Sequence, residues 1–295
     1  MKRFEKAGAL AGAFLDLSAT SRMARRRALR SVALAYESRT RSDTSFASEY
    51  VQLRSIIDSL AHVVPTCVDI AAGNGVTQSC TTPLYRSGWD GLAVEVDVSK
   101  FQELSFVLAD CPSVRLARAK VTPDNVSTLL EACGIPKAFG FLNLDIDSFD
   151  LDVMRGMLTA GFAPQVVSME INEKIPAKVH FEVKYSPDFE WIGGNFYGCS
   201  IAAACDVMFD AGYMLHNVAY NNAFFVASRC APDGWESQDP SAAYEAGYLQ
   251  QADRLTVFPW NQSLDYLQSL HGDELLVALG NLFSSETTPY ELRLA

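Results

Sequence analysis

The stretch Val68-Asp69-Ile70-Ala71-Ala72-Gly73-Asn74-Gly75-Val76 runs from an apolar segment into small residues and two glycines. That is the pattern of a strand turning sharply, with small residues where a ligand approaches the backbone closely. Upstream, Tyr50, Val51, Leu53, Ile56, Ile57 and Leu60 recur at helical spacing and predict an amphipathic helix over 46–61. Downstream, short apolar runs alternate with helical patterns. Strands are predicted at Cys67–Ile70, Leu92–Val96, Val114–Ala117, Phe139–Leu144 and Val166–Ile171, and helices over Val76–Arg86, Val98–Leu108, Val126–Cys133, Leu151–Thr159 and Cys199–Ala211. Such alternation implies a mostly parallel sheet with helices on both faces. Tyr213–Tyr220 and Ala223–Ser228 close it as a hairpin, joined by Asn221 and Asn222, which tolerate the φ > 0 of a tight turn. The run Cys230–Pro240, rich in Pro, Gly, Asp and Ser, reads as a linker. Three parts follow: an N-terminal helical arm over 1–61, an α/β domain over 62–230 and a helical extension over 231–295.

Roughly twenty residues beyond the loop, Glu95 ends the second predicted strand, where a carboxylate can accept hydrogen bonds from both hydroxyls of a ribose. Loop and acid together imply a nucleoside cofactor, and charge selects which one. NAD and ATP need a loop built for phosphate, either G-x-G-x-x-G or a glycine loop ending in Lys, and neither spacing is present. Asp69, just ahead of the loop, would repel a pyrophosphate and attract a cation. S-adenosylmethionine carries an ammonium and a sulfonium and no phosphate, which matches acids on strands one and two. The predicted donor-binding residues are Asp69, Ala71, Gly73, Asn74, Gly75, Glu95 and Val96, joined by Asp145.

The string D-I-A-A-G-N-G over Asp69–Gly75, followed by Ala93-Val94-Glu95-Val96-Asp97, resembles motif I and the acidic end of strand two in class I S-adenosylmethionine-dependent methyltransferases. Within that class it resembles the FkbM-like group. The matching segments are Leu142-Asn143-Leu144-Asp145-Ile146-Asp147-Ser148-Phe149-Asp150, then Met169-Glu170-Ile171-Asn172-Glu173-Lys174-Ile175-Pro176, and Asn222-Ala223-Phe224-Phe225-Val226. The resemblance covers residues 66–228. It implies an α/β, Rossmann-like seven-stranded sheet in the order 3-2-1-4-5-7-6, with the last strand antiparallel and helices on both faces. The donor would lie at the first two strands, and the acceptor over the ends of strands four and five. Ala71 stands where the group usually has its first glycine. Arg118-Ala119-Lys120-Val121 lacks the acidic or polar residue often found beside the adenine.

In a sheet of that order, Asp145 and Asp147 fall beside the donor loop, and Glu170 and Asn172 end the neighbouring strand. Methyl transfer to a hydroxyl requires an aligned acceptor and removal of its proton. The candidate bases are Asp147, Glu170 and His180, with Asp145 orienting the donor; alternatively, Asp147, Glu170 and Asn172 hold Mg²⁺. Asp150 and Asp152 read as charges that favour a helix start, and Glu173 and Lys174 as solvated surface charges. Tyr185, Phe189, Trp191, Phe196 and Tyr197, with Gly193 and Gly194 among them, compose a loop suited either to a lid stacking on an acceptor or to packing against the core. The reading favoured is methylation of oxygen on a small metabolite or saccharide. The alternatives are an N-methyltransferase, or a non-catalytic scaffold that keeps the fold. An NAD-linked oxidoreductase ranks behind both.

A net charge of −11 over 295 residues argues against a nucleic-acid partner. Basic residues nonetheless crowd the start, at Lys2, Arg3, Lys6, Arg22, Arg25, Arg26, Arg27 and Arg30, which reads as a solvated helix in preference to an anion-docking arm. Ala7–Leu15 is too rich in Ala and Gly for a secretory signal, and no run approaches the roughly eighteen apolar residues of a membrane span. Seven scattered cysteines without a C-x-x-C pair indicate neither a disulfide framework nor a zinc site. A cytoplasmic location is expected, and the tail from Ala231 is read as either a cap on the site or a homodimer contact.

Overall fold

Thr66–Ile70 (β1) is buried at every position, as a parallel strand covered on both faces must be. The computed structural model describes residues 22–47 and 49–295; Lys2, Arg3, Lys6 and Ala7–Leu15 lie outside the described residues. β1 is flanked in parallel by Asp90–Val94 (β2) and Phe141–Leu144 (β4). Beyond these lie Val114–Ala117 (β3) on one side and Val166–Glu170 (β5) on the other. Val179–Val183 (β6) leaves this sheet, and Tyr213–Ala219 (β7) and Asn222–Ala227 (β8) return as a hairpin, with β8 antiparallel to β5. The order β3-β2-β1-β4-β5-β8-β7 is the expected Rossmann-like one, its final pair renumbered because β6 intervenes.

Alternation along each strand sends side chains to opposite faces. Leu92 and Val94 join a core with Leu142, Leu144, Val167 and Phe225, while Ala93 joins Cys67, Phe141, Phe224 and Val226 on the other side. Helices Arg22–Thr40 (α1), Glu49–Ser59 (α2), Thr82–Arg86 (α3) and Val98–Val107 (α4) precede β3, and Val126–Ala132 (α5), Asp150–Thr159 (α6) and Ile201–Asp210 (α7) follow it. No helix among the described residues is long and apolar enough to cross a membrane.

Three expectations are corrected. The helix predicted from Val76 begins only at Thr82, because Asn74 Oδ1 accepts the Val76 and Thr77 N–H groups (3.0 and 2.8 Å) and holds this segment as a turn. The hairpin's positive φ falls on Tyr220 (+55°), one place before Asn221, since Asn222 already belongs to β8 and donates its amide to Glu49. The extension is not wholly helical. It ends in Tyr290–Leu294 (β9), antiparallel to β6, and Leu264, Leu267, Leu275, Leu279 and Phe283 pack beneath that two-stranded sheet.

Among the described residues of the N-terminal segment, α1 packs on the α/β domain. Leu34 and Ala35 of α1 are buried, and Arg39 pairs with Asp110 at 3.0 Å.

Candidate active site

A cavity of about 760 Å³ opens at the carboxyl ends of β1, β2 and β4, where the order of an open α/β sheet reverses. Its floor is the loop after β1. Ala71 (φ +73°) takes a left-handed conformation that favours glycine, held by its N–H on the Val94 carbonyl at 3.0 Å. Gly73 (φ +58°) presents a bare Cα; a Cβ there would meet nothing within 4 Å, so the backbone is open to a ligand. Gly75 is different in kind, since its Cβ would fall 2.8 Å from Leu104 Cδ1, and it serves packing.

Glu95, just past β2, is fixed from both sides: Gly73 N–H donates to Oε2 (2.8 Å) and Asp97 N–H to Oε1 (2.7 Å). Each oxygen keeps a lone pair for a further donor. Val96 beside it is 54% exposed and offers an apolar surface at the cleft. Asp69 lines the cavity, but its oxygens accept from Thr81 Oγ1 and from Asn143 Nδ2 (3.0 Å). Burial, opposed by these two bonds, leaves its pKa at about 6.

Asp145, Asp147 and Glu170 converge at the far end, with carboxylate oxygens within 4.8 Å of one another. Burial and the neighbouring Asp147 push Asp145 up to about 7. Burial and Asp145 raise Glu170 well above the carboxylate range. Asp147, in a left-handed conformation (φ +54°), is raised by burial, while a hydrogen bond with Glu170 and then the charges of Lys100 and Lys174 favour its ionised form. Asn221 Nδ2 anchors Glu170 Oε1 at 2.8 Å, and Oε2 is buried without a hydrogen-bond donor. Three carboxyls so placed cannot all ionise at low cost.

Other sequence candidates lie elsewhere. His180 sits on β6, its Nδ1 2.8 Å from Asp206 and 2.9 Å from Arg293, where it joins a cross-strand charge cluster that borders β9 and does not line the cavity. The set Asp147, Glu170 and Asn172 does not fit Mg²⁺. Asn172 is fully buried, donates to the carbonyls of Asn195 (2.9 Å) and Tyr197 (3.1 Å), and accepts from Lys174 N–H. Glu173 and Lys174 are buried rather than solvated. Asp150 accepts from the N–H groups of Ile146 (2.8 Å) and Ser148 (3.1 Å), fixing the turn that carries Asp147.

Of the aromatic loop, Phe189 and Trp191 line the cavity, whereas Tyr185 packs on Phe149 and Phe196 on Phe181. Lys120 Nζ holds that loop over the cleft through the carbonyls of Pro187 (3.0 Å) and Phe189 (3.2 Å). The sequence reading missed Arg30, Lys100, Lys120 and Asn143 as lining residues. Lys100 was discoverable, standing one turn into the helix that Asp97 caps. Arg30 had no local signal at all.

No protein-family model matches this chain, and neither does any curated protein. Solved structures do. The N-terminal domain of EvdMO1, crystallised in the presence of SAH and D-fucose, is similar with a TM-score of 0.41 and 11% identity, over 60% of this chain and 81% of that one. A S-adenosylmethionine-dependent methyltransferase from Clostridium acetobutylicum gives 0.40 and 14%, over 67% and 98%. Precorrin-6y C5,15-methyltransferase from Geobacter metallireducens gives 0.36 and 14%, over 59% and 84%.

Proposed function

We propose that this protein binds S-adenosylmethionine in the cleft above β1, β2 and β4 and transfers its methyl group to a hydroxyl of a small metabolite or saccharide. The observation that carries the reading is Glu95, set by two backbone N–H groups beside an open glycine loop that lacks a phosphate-binding pattern. Its free lone pairs suit a ribose diol, Val96 suits the face of an adenine, and the acids beyond suit a donor that is cationic at its reacting end. Asp145 stands nearest the loop and orients the donor. Asp147, whose ionised form Lys100 and Lys174 favour against the effect of burial, accepts the hydroxyl proton as the oxygen attacks the methyl carbon and the sulfonium leaves as a thioether. Glu170, raised by burial and by Asp145, hydrogen-bonds with both. The acidic floor also supports a second reading, an amine acceptor, since an ammonium would be drawn to it before losing its proton.

Calorimetric titration with S-adenosylhomocysteine tests the donor assignment. Micromolar binding that Glu95→Ala abolishes is the expected result. An intact protein that takes up no S-adenosylhomocysteine would be no methyltransferase.

A further inference from the structure

Three cationic side chains border the cleft, Arg30, Lys100 and Lys120, against a lining dominated by Asp69, Glu95, Asp145 and Asp147. Among the described residues these are the cationic side chains at the cleft, and the ammonium groups of two of them have partners. Lys120 spends its ammonium on the carbonyls of Pro187 and Phe189. Lys100 faces Asp147 and favours its ionised form. Arg30 is bound at Nε alone, to Glu103 Oε1 at 2.7 Å. Glu103 Oε2 in turn accepts from Asn74 Nδ2 at 3.4 Å, so a polar chain runs from α1 through α4 to the loop after β1. Pairing through Nε aims the guanidinium and leaves both terminal nitrogens without a partner among the described residues. A guanidinium held that way presents its N–H fork to a carboxylate, a match a lysine cannot copy.

We propose that Arg30 is the receptor for the α-carboxylate of the methyl donor, with Glu103 as the residue that positions it. The inference rests on the cleft being a S-adenosylmethionine site, because the amino-acid carboxylate is that molecule's one anionic group. Helix α1, through Arg30, is then a wall of the donor pocket.

The test titrates the full chain with S-adenosylhomocysteine and, separately, with 5′-methylthioadenosine, which keeps the nucleoside and lacks the amino-acid end. Arg30→Ala should weaken S-adenosylhomocysteine by about tenfold to hundredfold and leave methylthioadenosine within about twofold, the signature of one lost charge-assisted contact. Arg30→Lys, with the charge but not the fork, should recover part of the loss. The side chain of Arg30 is 64% exposed, so the variants should fold, and an unchanged unfolding temperature checks that they do. An equal loss for both ligands, or no loss for S-adenosylhomocysteine, overturns the assignment and leaves the cleft a nucleoside site. A wild-type protein that binds neither ligand removes the donor reading, and Arg30's role with it.

Discussion

Two groups of buried charge stand almost side by side at the end of β5, and they are built on opposite lines. Asp145, Asp147 and Glu170 face one another across the cleft, with a buried Glu170 oxygen that no donor reaches. Glu173, only three residues on, is saturated: Tyr197 OH donates to Oε2 at 2.9 Å and Asn261 Nδ2 to Oε1 at 2.7 Å, while the Lys174 ammonium lies 3.6 Å from Oε1 and donates to Tyr197 at 2.9 Å. The first group stores electrostatic cost where a ligand and a proton can relieve it. The second sets opposite charges together, with Asn261 Oδ1 buried beside them without a partner, and it rivets the extension to the core through Asn261 and through Tyr244, whose hydroxyl bonds the Glu173 carbonyl at 2.6 Å. Burial of charge is therefore common to both, and the gathering of like charges separates the first from the second.

Asp147→Asn puts that distinction to its hardest test. It should lower kcat by about 10²–10⁴-fold, measured with labelled S-adenosylmethionine on an identified acceptor, while S-adenosylhomocysteine affinity holds and the unfolding temperature does not fall. An unchanged rate would move Asp147 to the structural side. Glu173→Ala should act in reverse, costing about 3–5 kcal/mol in a denaturant titration because it strands the Lys174 ammonium in the interior. A loss of under about 1 kcal/mol would mean that Tyr197 alone suffices.

The pH response sharpens the contrast further. Asp145 keeps its proton up to about 7 in the folded chain against an ordinary 3.8, and Asp69 and Asp150 keep theirs up to about 6. The folded state then binds protons the unfolded chain has released, so this stability is fully present below about pH 4 and is lost as the pH climbs through those values. Calorimetry of the ligand-free protein should show Tm falling from about pH 5 to about pH 7, with Asp145→Asn flattening the fall; a rising Tm in that range would contradict the repulsion. The smallest effect belongs to the loop. Ala71→Gly removes a Cβ from a left-handed conformation and should stabilise the protein by about 1 kcal/mol, unless the methyl group packs better than its strain costs.

The strands were legible because a parallel sheet buried on both faces writes itself as apolar runs, and the loop after β1 was legible because small residues and a following acid are local signals. Asp69, Glu95, Asp145 and Asp147 could be picked out from their places at strand ends. The other errors share one cause. His180, Glu173 and Lys174 were judged from residue type, and only the chain's return through 240–294 decides their surroundings, burying Glu173 beneath Asn261 and setting His180 across from Arg293. Arg30 reaches the cleft from 39 positions before Asp69, through a helix contact that no local pattern encodes. The sequence by itself determined the strands and the acids at their ends, since period and composition act over neighbouring residues, while the order of the sheet was what the resemblance to class I methyltransferases implied. The tertiary structure alone decided which charges are paired, because pairing depends on groups that distant segments bring within hydrogen-bond reach.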